Sequence, residues 1–407
     1  MKKPELLSPA GGWEQLKYAI HFGADAVYFA SDKFGMRAHA NNFKLDEVSE
    51  LVNYAHSHNV KTYVTCNIVM HQDNLDQLPP YLEAFEAAGV DSIILEDFGA
   101  LRLAKKYAPS LKIHVSTQAS VANAQAALMW HELGASRIVC ARELSLRQIA
   151  EMRKQLPDTL ELEAFVHGSM CMAYSGRCLI SDYLTGRSAV QGDCTQPCRW
   201  GYTLEEEKRE GEHFPIEEDV HGSYIMNAQD MNMLKYIDNL RDAGIDSLKI
   251  EGRNKKAFYV ATVTNAYRKV LDGENADFYE GELESTSHRP FSTGFFFGPA
   301  HQNASGSGYI QKYDWVVEVL DCEKCNEGWK ARVKCRNRFF IDSELEVLTP
   351  HTLPYIVHIS KIEYIPHPDS STEIAEACDI ANVTMGTYDI YLDSEVKEMD
   401  ILRTKRS

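Results

Sequence analysis

No run of 18 apolar residues occurs in this 407-residue chain, so it offers no helix of membrane-spanning length. Its opening, MKKPELLSPAGG, carries two lysines but no apolar stretch of signal-peptide length. Both absences predict a cytoplasmic protein without a membrane partner, in a compartment where thiols stay reduced. Basic charge is scarce: 42 Lys and Arg stand against 59 Asp and Glu, a formal charge of −17. That balance excludes binding to nucleic acid or to an anionic membrane through overall charge, and leaves only local basic patches for such a role. Hydrolase signatures are missing as well, with neither H-E-x-x-H nor G-x-S-x-G in the chain. No G-x-G-x-x-G follows the first strand, which argues against a dinucleotide-binding sheet. No internal repeat or low-complexity tract stands out.

What the chain does have is cysteine in one place. Four of its ten cysteines, Cys171, Cys178, Cys194 and Cys198, fall within 28 consecutive positions, spaced C-x6-C-x15-C-x3-C. Gly176, Gly186, Gly192 and Pro197 lie among them, residues that bend a backbone rather than build an element. A loop that folds back can bring four thiolates to one point, a home for an iron–sulfur cluster or a structural zinc. Zinc favours paired C-x2-4-C knuckles and only the last pair has that spacing, so the pattern leans toward iron–sulfur. Disulfides, or thiols packed as small core residues, are the other readings. Cys322, Cys325 and Cys335 offer a C-x2-C plus one thiol without an evident fourth ligand.

Short apolar runs alternate with helical patterns over the first two-thirds. Strands are expected at 5–8, 25–30, 61–66, 92–96, 112–115, 137–141, 161–166 and 247–250. Helices are expected at 13–22, 45–59, 75–88, 99–107, 121–133, 145–155, 232–242 and 257–271, several closed by a glycine. Eight strand–helix alternations over 1–275 predict a (β/α)8 TIM-like barrel, with a doubly wound open sheet as the alternative. The cysteine loop, 168–202, then follows strand seven and sits over the barrel mouth. The segment 224–226 reads as an extra strand. Residues 276–311, rich in Gly, Ser, Pro and Phe, read as a linker packed on the barrel by its aromatics. From 312 to 407 the pattern turns to period-two alternation, which predicts a small C-terminal all-β domain, a barrel or sandwich.

Barrel chemistry collects at the C-terminal ends of strands. These offer Asn67, Glu96, Asp97, Ser116, Thr117, Gln118, Arg142, Glu143, Glu163, His167, Lys249, Glu251 and Arg253. His167, Glu163 and Glu251 are the acid–base candidates, His167 equally readable as a fixed donor behind the thiolates. Arg37, Arg177, Arg199 and Arg253 are candidates to clamp a carboxylate or phosphate by paired hydrogen bonds, with Gln118 beside them.

The runs EAFVHGSMCMAYSGRCLIS and GDCTQPCRW resemble the signature of the peptidase U32 family, the collagenase-like proteins. SPAGG, GADAVYFA, GMRAHANNF, VSTQAS, ARELS and LKIEGR also resemble it, so the likeness covers most of the first 270 residues. The C-terminal β domain is similar to that family's C-terminal module. The resemblance implies an oxygen-independent hydroxylase holding a [4Fe–4S] cluster, with Cys171, Cys178, Cys194 and Cys198 as ligands and zinc as a possible substitute. Family members of this kind act on tRNA, on ribosomal RNA or in ubiquinone synthesis. The chain length, the C-x3-C-R-W run and the single appended β domain look most like the prephenate-dependent tRNA hydroxylases, which form 5-hydroxyuridine at the wobble position. The partners so implied are tRNA, a small dicarboxylate cosubstrate and an electron donor of unspecified kind. The family's name keeps a peptidase as the rival, and a non-catalytic RNA-binding or assembly protein with a structural metal is the third reading. Candidate RNA contacts are Arg199, 253–256, Arg336 and Arg338, with the acidic runs 205–207 and 217–219 placed elsewhere.

Overall fold

The computed structural model describes residues 3–36, 41–171, 173–200, 203–205, 213–215, 229–298, 309–326, 328–368 and 374–406. The chain divides into two compact units. The first is Met1–Ile20, Ala24–Glu280 and His288–Tyr309; the second is His21–Gly23, Gly281–Ser287 and Ile310–Ser407.

Eight parallel strands close the first unit: Glu5–Pro9, Ala26–Phe29, Lys61–Cys66, Ser92–Leu95, Lys112–Val115, Ala135–Val139, Glu161–Ser169 and Ser247–Ile250. They form because their sequences are nearly continuous apolar runs. AVYF and SIIL are buried at every position, as parallel strands covered by helices must be. Closure comes from strand eight, which pairs in parallel with strand one (Glu5↔Ser247) and with strand seven (Ser247↔Glu163). The expected barrel is therefore the observed fold, and the open sheet is excluded.

Element ends moved where caps override periodicity. The third helix runs Gln72–Ala87, three residues ahead of its expected start, because His71 and Asn74 form a capping box. Helix Ala257–Leu271 matches its expected limits and is buried on every side over Ala257–Tyr267. An unforeseen strand, Asp230–Asn232, pairs antiparallel with the outer end of strand seven and in parallel with Phe291–Ser292. The expected strand at 224–226 lies outside the described residues. The segment 276–311 carries a helix, Ala276–Leu283, as well as the Phe291–Ser292 strand, so it holds regular structure besides its aromatics.

In the second unit Glu344–Leu348, Ile401–Lys405, Tyr313–Cys325, Gly328–Cys335, Thr387–Leu392 and Tyr355–Ile365 pair in that order. Glu344–Leu348 also pairs with Tyr355–Ile365, closing a small antiparallel barrel. Its core is the inward half of each alternating strand, including Val317, Val333, Val347, Val357, Ile390 and Leu402. Ile401–Lys405, which the sequence pattern did not mark, supplies Arg403. That side chain is fully buried against Glu346 and Glu282, and donates to Ser285 Oγ at 3.1 Å.

Candidate functional site at the barrel mouth

The lower interior of the first barrel is charged and closed. Arg137 Nη1 donates to Glu5 Oε1 at 2.7 Å and to Glu163 Oε2 at 3.1 Å, while its Nε reaches Glu161 Oε2 at 2.9 Å. Lys249 Nζ donates to Glu163 Oε1 at 2.8 Å, and Tyr63 Oη to Glu5 Oε2 at 2.8 Å. Each of these carboxylates has a cation against it, the condition for burying charge at tolerable cost. Burial pulls the Lys249 ammonium below its usual range, and Glu163 offsets part of that pull.

Above this layer the strand ends open into a cavity of about 1050 Å³, part of it solvent. Tyr28, Val139 and Phe165 form apolar walls, and Lys249 lies at the lining with its ammonium 4.5 Å from the Tyr28 ring centre. Asn67, Ser116, Thr117, Gln118, Arg142, Glu251 and Arg253 come from the ends of four different strands. Several are tied to each other: Asn67 Nδ2 donates to Ser116 Oγ at 3.2 Å, and Ser116 Oγ accepts from Gln118 N at 3.2 Å.

The cysteine loop forms the rest of the lining. Gly176 approaches so closely that a Cβ there would stand 2.2 Å from the Gln118 carbonyl oxygen, at a φ of +74° that glycine tolerates. Across the mouth, Val69 N donates to Val190 O at 3.0 Å. Within the loop lie the short helix Ile180–Thr185 and the turn Pro197–Arg199. Cys171, Cys178, Cys194 and Cys198 all line the one cavity. Burial raises the Cys178 thiol, and the nearby Cys171 and Cys194 sulfurs raise it further. Arg142 Nη1 points at Cys171 Sγ from 3.6 Å, and Gln196 N donates to Cys194 Sγ at 3.3 Å. Donor type and shared lining fit a thiolate-held metal group. Among the described residues no three His, Cys, Asp or Glu side chains stand in ligating geometry around one point. In contrast, Cys66 and Cys140 are sealed in the barrel wall, where burial pushes both thiols to about 12.

The other expected site residues divide. Glu251, Arg253 and Gln118 line the mouth. Glu163 does not: strand seven runs on to Ser169, so Glu163 sits low in the barrel, bound to Arg137 and Lys249. His167 faces outward. A register irregularity sets Ile250 opposite His167 after Lys249 opposite Phe165, which turns the ring toward Tyr267, Tyr259 and Phe291. Burial drives its pKa down to about 3, helped by His288 and Lys255, and holds the imidazole neutral. Arg177 is exposed outside the lining; its charge acts on Glu96, whose carboxyl burial raises to about 7. Asp97 caps helix Phe98–Tyr107, and Glu143 accepts from Ser175 N at 2.9 Å. Arg37 lies outside the described residues. Arg199 is placed by its backbone alone, in the turn Pro197–Arg199. Arg336 is held by Glu318, its Nε at 3.0 Å. Thr65 was not expected, yet it lines the mouth with 3% of its surface exposed. Its signal was a threonine one residue from the end of an otherwise core-forming strand.

Three comparisons bear on this arrangement. The Peptidase family U32 profile matches residues 11–306 and the Peptidase family U32 C-terminal domain profile matches 311–403. The chain belongs to peptidase family U32. It is 39% identical over 361 residues to "tRNA hydroxylation protein P1" of Bacillus subtilis, covering 86% of this chain and 84% of that one. It is 34% identical over 401 residues to "tRNA hydroxylation protein P" of Escherichia coli, covering 86% and 87%. To the Escherichia coli "23S rRNA 5-hydroxycytidine C2501 synthase" it is 37% identical over 306 residues, 72% of this chain but 45% of that longer one. Among the described residues no helix is long and apolar enough to cross a membrane.

Proposed function

We propose that this chain is a tRNA-modifying hydroxylase that forms 5-hydroxyuridine at the wobble position without molecular oxygen, with prephenate as cosubstrate. The observation that carries the reading is a single cavity lined both by four cysteines and by the cations Arg142, Lys249 and Arg253, against one carboxylate, Glu251. The names of the similar bacterial proteins support RNA hydroxylation as the reaction class. Cys171, Cys178, Cys194 and Cys198 would hold a [4Fe–4S] cluster, and such a cluster supplies one-electron chemistry or a binding position for the oxygen donor. The chain's own groups then do the rest. Arg142 and Arg253 offset the charge of an anionic cosubstrate. Tyr28 and Phe165 give a base flipped out of the RNA an apolar wall and keep water from it. Glu251, which accepts from Tyr28 Oη at 3.5 Å, is the carboxylate placed to exchange a proton with bound substrate. No histidine is among the described residues of the lining, so the nucleophile–histidine pair of serine and cysteine peptidases is not formed by them.

The test has two arms. Anaerobically purified protein should carry about four iron and four sulfide ions, and deletion of its gene should remove wobble 5-hydroxyuridine from digested total tRNA. Unchanged 5-hydroxyuridine in a host without a second enzyme for it would overturn the reaction, and iron-free active protein would overturn the cofactor.

A further inference from the structure

We infer that the outer face of the cysteine loop is a stacking platform for the unpaired nucleotides beside the target base, with Tyr183 at its centre and Arg177 as its phosphate contact. Among the described residues the loop leaves five large apolar side chains in solvent: Tyr174, Leu179, Tyr183, Leu184 and Trp200. Tyr183 is 89% exposed and Leu179 68%. Single apolar side chains at a surface are ordinary, but a group of them on one face marks an interaction site.

The local fold sets which way each one points. In helix Ile180–Thr185 the inward side is held by Ser181 and Thr185. Ser181 Oγ accepts from Thr195 N at 3.0 Å, and Thr185 Oγ1 lies 3.4 Å from Thr195 Oγ1. At about 3.6 residues per turn, Leu179 and Tyr183 fall on the opposite side, with Ile180 and Leu184 between the two. Asp182 falls on the flank away from Ile180. Ile180 lines the cavity, and Tyr183 is its neighbour on the helix surface, about 4.5 Å further along the axis. Tyr174 makes the same link from the start of the loop, since it lines the cavity and keeps 48% of its surface exposed. The apolar wall therefore continues from the cavity onto its rim.

That continuity selects the occupant. A base seated in the cavity brings its neighbours in the strand onto the rim, stripped of their own stacking. Aromatic rings interleaved with a cation hold unpaired nucleotides of any sequence. Arg177 supplies the cation: it is exposed, in the turn where its N donates to Tyr174 O at 3.0 Å. Among the described residues its Nη1 donates to Gly176 O at 3.3 Å and its charge acts on Glu96. A guanidinium has further N–H donors beyond these contacts, which suit a phosphate. The platform rests on the reading of the mouth as the place where an RNA base is modified, and adds how the chain holds the nucleotides next to that base.

The experiment measures binding of a fluorescein-labelled anticodon stem–loop RNA, with an unmodified wobble uridine, to iron-loaded full-length protein under nitrogen. Iron is counted in every variant and should stay that of the parent. Tyr183→Ala should weaken binding about tenfold, Tyr183→Leu nearly as much, and Tyr183→Phe should match the parent, because stacking needs a ring rather than apolar bulk. Arg177→Gln should weaken binding and flatten the slope of log affinity against log salt by about 0.7. An abasic nucleotide on one side of the wobble uridine should cancel the effect of Tyr183→Ala. Equal RNA affinity in the parent and Tyr183→Ala would overturn the platform and leave the hydroxylase reading standing. Lost hydroxylation at unchanged RNA affinity would also overturn it, and would assign the face to a protein partner instead. Parent affinity in Tyr183→Leu would overturn stacking in favour of plain apolar contact. Stem–loop binding that depends on Tyr183, in a protein that forms no 5-hydroxyuridine, would support the platform and overturn the hydroxylase reading.

Discussion

The base and the mouth of the same barrel handle charge in opposite ways. At the base, Arg137 meets Glu5, Glu161 and Glu163, and Lys249 meets Glu163, so each described charge has its counterpart within 3.1 Å. At the mouth, Thr65 Oγ1 and Arg142 Nε are buried without partners among the described residues, and among those residues the four thiols line an open cavity without closing on one another. Satisfied polar networks rigidify a core, whereas each unsatisfied buried atom calls for an explanation. Lys249 belongs to both regions: its ammonium is anchored in the base and lines the mouth.

If the mouth is completed by a metal group, breaking it should abolish function without unfolding the barrel. Cys171→Ala, Cys178→Ala, Cys194→Ala and Cys198→Ala should each lose bound iron and sulfide and all 5-hydroxyuridine formation. Cys66→Ala and Cys140→Ala should keep both, since their thiols are sealed in the wall. Full iron retention in any of the first four would remove that residue from the ligand set.

The base should show the reverse, a loss of stability with no specific loss of metal. Glu163→Ala leaves two buried cations short of a partner, a change expected to cost about 3–5 kcal/mol. Urea unfolding should therefore shift strongly while the folded fraction keeps its iron. A shift below about 1 kcal/mol, the value of an ordinary exposed pair, would mean that the base is not the closed network described above.

Sequence patterns revealed these two regions unequally. The eight strands were legible because parallel, helix-covered strands are nearly unbroken apolar runs, as in SIIL and AVYF. Cysteine density marked the loop, and the strand ends gave Gln118, Glu251 and Arg253. What stayed hidden was which way a side chain points. Period two puts Glu163, Phe165 and His167 on one face, but the irregularity opposite Lys249 and Ile250 breaks the period before His167. A one-residue slip of this kind reverses every later side chain, and it depends on the pairing partner rather than on the strand's own sequence. Glu163 was placed too near the mouth for a related reason: the strand continues three residues past the expected end. In the C-terminal unit, Ile401–Lys405 escaped notice because five residues at the end of a chain carry little periodicity, although they close that barrel.

Backbone contact between strand one's turn and strand eight's end should join the two behaviours. Gly11→Ala would force its methyl into the Arg253 carbonyl, 1.9 Å from the ideal Cβ position. Overpacking of this order costs about 1–3 kcal/mol. The expected outcome is a moderate drop in urea midpoint together with weaker prephenate binding, since Arg253 shifts, and unchanged iron. A drop in stability alone would separate the glycine's packing role from the cosubstrate site.

The smallest effect concerns His167, which lies beside the mouth yet outside it. Its folded pKa is about 3, lowered by burial and then by the charges of His288 and Lys255, against about 6.5 for an unfolded histidine. Between those values the unfolded chain binds a proton that the folded chain refuses. Stability tied to this residue is therefore complete above pH 6.5 and is lost as pH falls toward 3. The slope from one such group approaches 1.4 kcal/mol per pH unit. His167→Phe removes the proton and keeps a ring against Tyr267 and Phe291, so the unfolding free energy of the variant should fall less steeply from pH 6.5 to 5.5, by about 1 kcal/mol over that unit. Hydroxylation at pH 7.5 should persist in the variant. A catalytic histidine would give the opposite pair of results, an unchanged stability slope and lost activity, and would return His167 to the mouth.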